Sequence, residues 1–300
     1  MKKKASFALA LAVALMLYAG AGLGEAAPLL YKVSDAQGNY IYLLGTIHVG
    51  NEEMYPLSEP IMDAYRDADA LAVELDIVAL ARDMKQMLAY SAALMYGAGE
   101  SAKDHLSPET YQMAMDHFGS SAMMKMMKPA VLLTLIQEEG YQRLGYSSSY
   151  GLDQKLIEMA YQDEKTVLPL ETLEQQMHVL TGTPDALVDF QLQQVLSYPE
   201  ASDASFKLLF TAWRQGNEEI LRLLLSSESL SVPKELQAEY EAYAKALYAD
   251  RDAAFTEKAI EYLEKGDKVL IAIGAAHIVS DGAIVDRLMD AGYTVEEIGR

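Results

Sequence analysis

Two histidines close similar short motifs and are the first candidates for chemistry. His48 ends Gly-Thr-Ile-His, His277 ends Gly-Ala-Ala-His, and each motif follows an apolar run. A glycine three residues earlier lets the backbone turn tightly and leaves room for a ligand. One Gly-x-x-His alone fits equally well a core histidine bonded to a backbone carbonyl. Its recurrence after two similar runs, in a chain with five histidines, favours a functional role.

Two glutamates occupy comparable positions. Glu74 falls at the end of the apolar run 70–75, and Glu171 directly follows the run 166–170. An ionised side chain that is buried after a strand needs a partner, and a lysine and a metal ion are two of several candidates. Ligands in α/β sheets bind at the carboxyl ends of the strands. We therefore expect His48, Glu74, Glu171 and His277 to meet at one edge of a sheet.

Two neutral imidazoles and one or two carboxylates form a mixed nitrogen and oxygen donor set. Such a set suits a divalent ion such as Mn, Co or Zn and leaves positions open for water. A metal ion lowers the pKa of a bound water from about 15.7 to about 7, and a free carboxylate can serve as the general base. The predicted metal ligands are His48, Glu74 and His277. Glu171 is predicted as a fourth ligand or the base, with Glu74 the other candidate for the base.

Two further charged residues belong to this prediction. Arg251 opens a predicted helix, where the helix dipole does not favour a cation. We expect it to pair with a carboxylate of the protein or the substrate, or to stabilise developing oxyanion charge. Asp153 falls in the first turn of another helix, where a favourable interaction with the helix dipole and a role in the site both fit.

The apolar patterns around these residues predict an α/β fold. We expect a mostly parallel central sheet built from two βαβ units that carry the Gly-x-x-His loops, with a large helical insertion at about 77–265. The predicted strands are 29–33 and 40–44, which form a hairpin, and 70–75, 166–170, 268–273 and 293–298. The predicted helices are 77–96, 108–117, 128–141, 152–162, most of 173–248, 251–263 and 282–291.

The first residues indicate export. Three lysines at 2–4 precede an apolar run from 5 to about 18, and small residues cluster at 19–27. This order predicts a signal peptide over 1–27, a single domain over 28–300 and an extracytoplasmic location, periplasmic or extracellular. The alternative is an uncleaved anchor, because the apolar stretch is nearly long enough to span a bilayer. Without cysteine, the exported chain has no disulfide framework.

Composition and missing motifs exclude several functional classes. The formal net charge of −20 repels phosphate backbones, so we expect no nucleic-acid partner, and it concentrates cations near the surface. The sequence has no Gly-x-Ser-x-Gly elbow of serine hydrolases and no His-Glu-x-x-His motif of zincins. It also has no Gly-rich nucleotide-binding motif.

The motifs together resemble the TraB/GumN family, which includes the animal Tiki proteins. The resemblance rests on Leu-Leu-Gly-Thr-Ile-His48-Val-Gly, Ala-Val-Glu74-Leu-Asp, Gly-Leu-Asp153, Leu-Glu171 and Gly-Ala-Ala-His277. It implies a fold related to the erythromycin-esterase and ChaN-like α/β proteins. It also implies a metal-dependent protease activity carried by His48, Glu74 and His277. Family members often have Arg-Asn where this chain has Arg251 followed by aspartate.

These observations favour an exported metal-dependent hydrolase, foremost a peptidase, with a peptide or a small ester as substrate. A peptide is attractive because bacterial members of the resembling family are partly linked to inhibition of peptide pheromones. One alternative is a protein that binds a peptide or, as the ChaN-like relationship suggests, haem, without catalysis. Another is an esterase that uses histidine as a base without a metal. A membrane partner is expected only through an uncleaved N-terminal segment, and the oligomeric state stays open.

Overall fold

The structure is a computed structural model that describes residues 29–298. The predicted signal peptide over 1–27 lies outside the described residues. Within residues 29–298, no helix has both the length and the apolar character needed to cross a membrane.

A six-stranded sheet in the order β4-β3-β5-β2-β1-β6 forms the centre of the molecule. Strands β2, β5, β3 and β4 pair in parallel, whereas β1 pairs antiparallel with β2 and β6. The mixed α/β class with a mostly parallel sheet is thereby confirmed. The strands are β1 (Leu30–Ser34), β2 (Tyr40–Thr46), β3 (Ala70–Val73), β4 (Thr166–Pro169), β5 (Val269–Gly274) and β6 (Thr294–Glu297).

Helices cover both faces of this sheet and fill most of the chain between β3 and β5. The α-helices are α1 (Glu59–Asp67), α2 (Ile77–Arg82), α3 (Met84–Ala93), α4 (Pro108–Phe118), α5 (Ala122–Met126), α6 (Pro129–Arg143), α7 (Leu152–Gln162), α8 (Leu173–Leu180), α9 (Asp185–Ser197), α10 (Pro199–Arg214), α11 (Glu218–Ser231), α12 (Gln237–Ala244), α13 (Asp250–Lys265), α14 (Ala276–Val279) and α15 (Ile284–Asp290). A π-helix over Lys245–Ala249 joins α12 to α13.

The middle of the sheet is apolar on both sides. Every residue of β5 is buried, which is typical of a central strand covered by helices on each face. Side chains of β2 alternate between two clusters, with Ile41 and Leu43 in one and Tyr42 and Leu44 in the other. This alternation is the period-2 pattern of a strand that faces a core on either side.

One predicted helix is broken in the structure. The expected continuous helix over 77–96 consists of α2 and α3, which meet at Asp83. The carboxylate of Asp83 accepts hydrogen bonds from the backbone N–H groups of Lys85 and Gln86. A side chain that caps backbone N–H groups in this way starts a new helix and ends the previous one.

The ends of the parallel strands set where functional side chains emerge. Strand β3 ends at Val73, so Glu74 is the first residue beyond it, and Glu171 follows two residues after the end of β4. Because β3 and β4 are parallel, both carboxylates leave the sheet at the same edge. His48 and His277 follow β2 and β5 at that edge.

Away from this edge, His105 holds two parts of the helical region together. Its Nδ1 lies 2.9 Å from Asp185 at the start of α9, and its Nε2 lies 2.9 Å from Glu100. The ring stacks on Tyr96 with centroids 4.3 Å apart. Partial burial alone would lower the pKa of His105, but the hydrogen bonds that the ring donates to Asp185 and Glu100 raise it above the ordinary 6.5.

We expect replacement of His105 to destabilise the fold only at pH values where the imidazole is protonated. A raised folded-state pKa gives stability that is fully present below pH 6.5 and is lost as the pH rises through the folded value. For His105→Gln we expect a loss of about 0.5–1 kcal/mol in unfolding free energy near pH 5, shrinking toward zero near pH 9. Urea denaturation at both pH values measures this.

The matched control is His178→Gln, since His178 is exposed. A loss for His105→Gln that is the same at both pH values would show that the imidazolium is not what binds Glu100 and Asp185.

Candidate functional site

Three of the predicted side chains converge beside Gly274. A Cβ atom placed on this glycine would lie 3.2 Å from Oε1 of Glu74, 3.4 Å from Nε2 of His48 and 3.8 Å from Cδ2 of His277. Both histidines and one glutamate therefore lie within 3.8 Å of a common point. The glycine leaves that point free because a methyl group there would press against two of the three side chains.

The sheet register explains the convergence. Thr46 at the end of β2 is the Cα partner of Gly274 at the end of β5, and Ala275 N donates to Thr46 O over 2.9 Å. The neighbouring strand β3 runs parallel on the other side of β5. A hydrogen bond of 2.7 Å from Gly274 N to Glu74 Oε1 fixes the carboxylate against the end of β5.

His48 lies in a surface loop that two contacts hold against the start of α7. Leu152 N donates to Ile47 O over 2.9 Å, and a Cβ on Gly151 would lie 2.5 Å from the carbonyl oxygen of His48. Only glycine at 151 allows this approach. The loop is thereby fixed beside the helix that carries Asp153.

Asp153 stands behind the imidazole of His48. Its Oδ1 lies 3.1 Å from Nδ1 of His48, whose side chain is 63% exposed. The carboxylate of Asp153 raises the pKa of His48 to about 9, with burial opposing it and Glu74 adding to the increase. Because water reaches the ring, solvent screening weakens this effect. The arrangement turns Nε2 of His48 toward Glu74.

His277 is buried and has a defined proton position. Its Nδ1 lies 2.6 Å from Oδ1 of Asp252, and its Nε2 lies 2.9 Å from Nη1 of Arg251. A guanidinium only donates, so Nε2 must accept and the ring proton resides on Nδ1, which donates to Asp252. Ring edges of Tyr248 and Phe255 enclose the imidazole, with centroids 5.8 and 5.3 Å away.

Arg251 joins the parts of the site. Its Nη2 donates to Oε2 of Glu74 over 2.7 Å and to Oε1 of Glu171 over 2.6 Å, while Nε donates to Oε2 of Glu171 over 3.0 Å. Its Nη1 donates to His277 and, over 3.2 Å, to Leu247 O. A guanidinium has five N–H donors, and these five contacts use all of them.

Every carboxylate oxygen of the two glutamates accepts a hydrogen bond. Burial alone would raise the pKa of Glu74, but His48, His277, Arg251 and the Gly274 N–H outweigh it and lower the pKa to about 2. Both oxygens of Glu171 accept from Arg251, and Oε1 also accepts from Gln176. Glu74 likewise accepts at both oxygens, from Gly274 N and from Arg251, so the hydrogen bonds do not decide which of the two is the base.

The donor types suit a divalent ion, although Arg251 lies among them. As they stand, no three His, Cys, Asp or Glu side chains within residues 29–298 are grouped so that they could hold a metal ion. Nε2 of His48, Oε1 of Glu74 and Cδ2 of His277 nevertheless lie around the point beside Gly274. Each imidazole also has a carboxylate at Nδ1, which is how proteins orient histidine ligands of metals. The donor types are thus those of a metal site, although the side chains are not grouped to hold an ion in this arrangement.

Sequence patterns did not identify every member of the site. Asp252 was recognised only as a departure from the Arg-Asn of the resembling family, yet it is 2% exposed and holds His277. The role of Asp153 was left open, and the structure places it against His48. A helical residue next to Arg251 carries no pattern that reveals a partner 25 positions away.

Two substitutions of Asp252 distinguish the contribution of its hydrogen bond to stability from that of its charge. Asp252→Ala leaves the Nδ1 proton of buried His277 without an acceptor, so we expect a loss of about 1–3 kcal/mol in unfolding free energy. Asp252→Asn retains an oxygen acceptor, and we expect at least half of that loss to be spared. Denaturant unfolding of both variants measures the difference, and equal losses would contradict the assigned hydrogen bond.

Comparisons with known proteins identify the family of the chain. The chain is 25% identical over 255 residues to the uncharacterized protein YbaP of Escherichia coli (strain K12), covering 83% of this chain and 88% of that protein. The YbaP protein of Shigella flexneri is also 25% identical, over 253 residues that cover 82% and 87%. No solved structure matches the chain. The model of the TraB/PrgY/gumN family matches residues 29–297, so both histidine motifs and both glutamates fall inside the match, and the chain belongs to this family.

Proposed function

We propose that this protein is an exported metal-dependent hydrolase, foremost a peptidase, with His48, Glu74 and His277 as the ligands of a divalent ion. The observation that carries the proposal is the pair of aspartate-backed imidazoles that face Glu74 around Gly274. Export is part of the proposal on the strength of the sequence over 1–27. So are the two βαβ units, one for each histidine motif.

A carboxylate at Nδ1 supports ligation by the opposite nitrogen. It fixes the ring orientation, keeps the proton on Nδ1 and raises the basicity of Nε2. Asp252 acts in this way on His277, and Oδ1 of Asp153 lies 3.1 Å from Nδ1 of His48, close enough to do the same after a small reorientation. A histidine kept only for packing does not need an ionised partner, so finding one behind each of the two converging rings favours ligation.

The chain's own residues would divide the work. Glu74 brings negative charge to the ligands while the Gly274 N–H holds one of its oxygens. Arg251 positions Glu171 through two hydrogen bonds, which keeps that carboxylate close to the ligands. A bound divalent ion would supply Lewis-acid polarisation and a water of lowered pKa. Exposed His48 provides the side from which substrate and water reach the site.

A peptide is the favoured substrate, and the surroundings of the His48 loop support it. Ile47 and Val49, on either side of His48, belong to an apolar cluster with Phe206 and Phe210. Tyr141, which is only partly buried, packs against this cluster with its ring centroid 4.3 Å from that of Phe206. Ile47, Val49, Phe206 and Phe210 are buried and hold the loop in place, so Tyr141 is a member of this cluster left to contact an apolar side chain of a peptide.

Metal uptake provides the direct test. We expect the wild-type protein to bind about one Mn²⁺, Co²⁺ or Zn²⁺ ion per chain and His48→Gln/His277→Gln to lose that ion, since two of three ligands are gone. Elemental analysis after dialysis and titration calorimetry measure it. Digestion of a peptide library, followed by mass spectrometry with and without chelator, then tests hydrolysis. The matched control His178→Gln should behave as wild type, and a double variant that keeps its metal would contradict the assignment.

A second candidate function rests on His48 alone. Its ring is exposed and Oδ1 of Asp153 lies 3.1 Å from Nδ1, an arrangement that serves as a general base at pH values above the raised pKa of His48. An esterase that uses this pair needs no metal. Ester hydrolysis that persists in chelator but disappears in His48→Gln would favour this function over the first.

The room at Gly274 gives a prediction of its own. Gly274→Ala adds a methyl group 3.2 Å from Glu74 Oε1 and 3.4 Å from His48 Nε2, so these ligands must separate by a few tenths of an ångström. We expect metal affinity to fall by about tenfold to a hundredfold, a range typical of disturbed ligand orientation. Titration calorimetry measures the affinity.

Gly292→Ala serves as a comparison because nothing lies within 4 Å of its added Cβ. The positive φ of Gly292 strains any side chain. The variant Gly292→Ala therefore tests whether loss of stability alone lowers the metal affinity. Unchanged metal binding in Gly274→Ala would contradict a site at this point.

A further inference from the structure

Arg251 occupies the atoms that the proposed metal ion would use. Its Nη1 takes up the lone pair on Nε2 of His277, and its Nη2 binds Oε2 of Glu74. The proton on Nδ1 that Asp252 fixes leaves Nε2 as an acceptor, and this is the same ring form that a metal needs. A divalent ion and this guanidinium therefore compete for His277 and for the charge of Glu74.

The charges explain why a cation belongs there without metal. Glu74 and Glu171 both contact Nη2 of Arg251, so their nearest oxygens lie within about 5 Å of each other, which follows from the 2.7 and 2.6 Å contacts. Two carboxylates that close repel each other unless a positive charge lies between them. The Arg251 side chain is only 11% exposed, and both carboxylates raise its pKa above the ordinary value against the effect of burial. It remains a cation in place.

Not every contact of Arg251 conflicts with metal binding. The fork formed by Nε and Nη2 grips Glu171, which is not among the three proposed ligands. Only Nη1 contacts His277. A rotation of the guanidinium could keep Nε and Nη2 on Glu171 and move Nη1 away. Nε2 of His277 and one oxygen of Glu74 would then be available to a metal ion. Such a motion displaces the guanidinium by a short distance and keeps it paired.

The backbone around Arg251 is suited to such a movement. The π-helix Lys245–Ala249 ends two residues before it, and Nη1 also bonds Leu247 O inside that segment. Short π-helical segments are rare and occur frequently at functional sites. The hydrogen bond to Leu247 links the position of the guanidinium to this irregular turn.

We propose that Arg251 is an internal cation that keeps the ligands of the proposed function assembled in the absence of metal, and that a divalent ion binds only as Nη1 leaves His277. The inference rests on the proposed function because it concerns the same ligands. Metal binding to this protein is then an exchange of the Arg251 guanidinium for a divalent ion. The affinity for the ion is lower than the three ligands alone would give.

Titration of metal-free protein with Mn²⁺ tests the exchange. Without the competing guanidinium, we expect Arg251→Gln to bind Mn²⁺ about tenfold more tightly than wild type, the factor of one lost charge-assisted hydrogen bond. Arg222→Gln is the matched control, since Arg222 pairs with Asp281 at the surface, and it should bind as wild type. Equal or weaker Mn²⁺ binding by folded Arg251→Gln would overturn the inference.

Arg251→Gln leaves Glu74 and Glu171 without the cation between them. The exchange is therefore also measured on the wild-type chain. Side-chain ¹⁵N spectra should show the Arg251 Nη1 protons losing protection from exchange on addition of Zn²⁺, while Nε–H stays protected on Glu171. Zn²⁺ binding that leaves the Nη1 signals unchanged would overturn the exchange and leave the proposed function standing. Absence of Mn²⁺ and Zn²⁺ binding in both wild type and Arg251→Gln would overturn both.

Discussion

Two carboxylates and one guanidinium, all largely withdrawn from water, form the interaction on which the site depends. Glu74 leaves β3, Glu171 follows β4 and Arg251 lies in α13, so three segments far apart in sequence meet in one ion-pair network. Removing one partner of a buried network costs about 3–5 kcal/mol because the others keep their charge. The parallel neighbours β4, β3 and β5 bring these residues to one edge of the sheet. Once the strands are packed, the buried carboxylates need the guanidinium as a partner.

Much of this arrangement follows from patterns that are local in sequence. Apolar runs end at Glu74 and Glu171, and parallel strands release their carboxyl ends at one edge, so a common edge for the glutamates and histidines was predictable. The pairing of Arg251 with a carboxylate was expected from a helix start, which the structure does not show, because α12, the π-helix and α13 are continuous. Which carboxylates it pairs with was not predictable, since two glutamates 80 and 177 positions away leave no trace in a local pattern. Asp252 was missed for the same reason, and the break at Asp83 was missed because apolar spacing continues across it.

The two histidine motifs look alike in sequence but differ in their surroundings. His277 follows β5, the strand in which every residue is buried, and is itself 3% exposed. His48 follows β2 into a loop that lies on the surface, where its side chain is 63% exposed. The buried ring is fixed by hydrogen bonds at both nitrogens, whereas the exposed ring has one aspartate contact and a free Nε2. A shared motif thus supplies one rigid donor and one that solvent and substrate can approach.

The residue next to Arg251 shows how such a site balances its charges. Asp252, Glu74 and Glu171 bring three negative charges, and Arg251 returns one. With a neutral His277 the group keeps an excess of negative charge in a mostly buried place, which is costly unless another cation shares it. An asparagine at 252 would hold the same Nδ1 proton with one negative charge fewer. If a divalent ion binds as proposed, the aspartate makes Nε2 of His277 a stronger ligand than an asparagine would, and the excess negative charge favours a doubly charged ion over the single charge of a guanidinium.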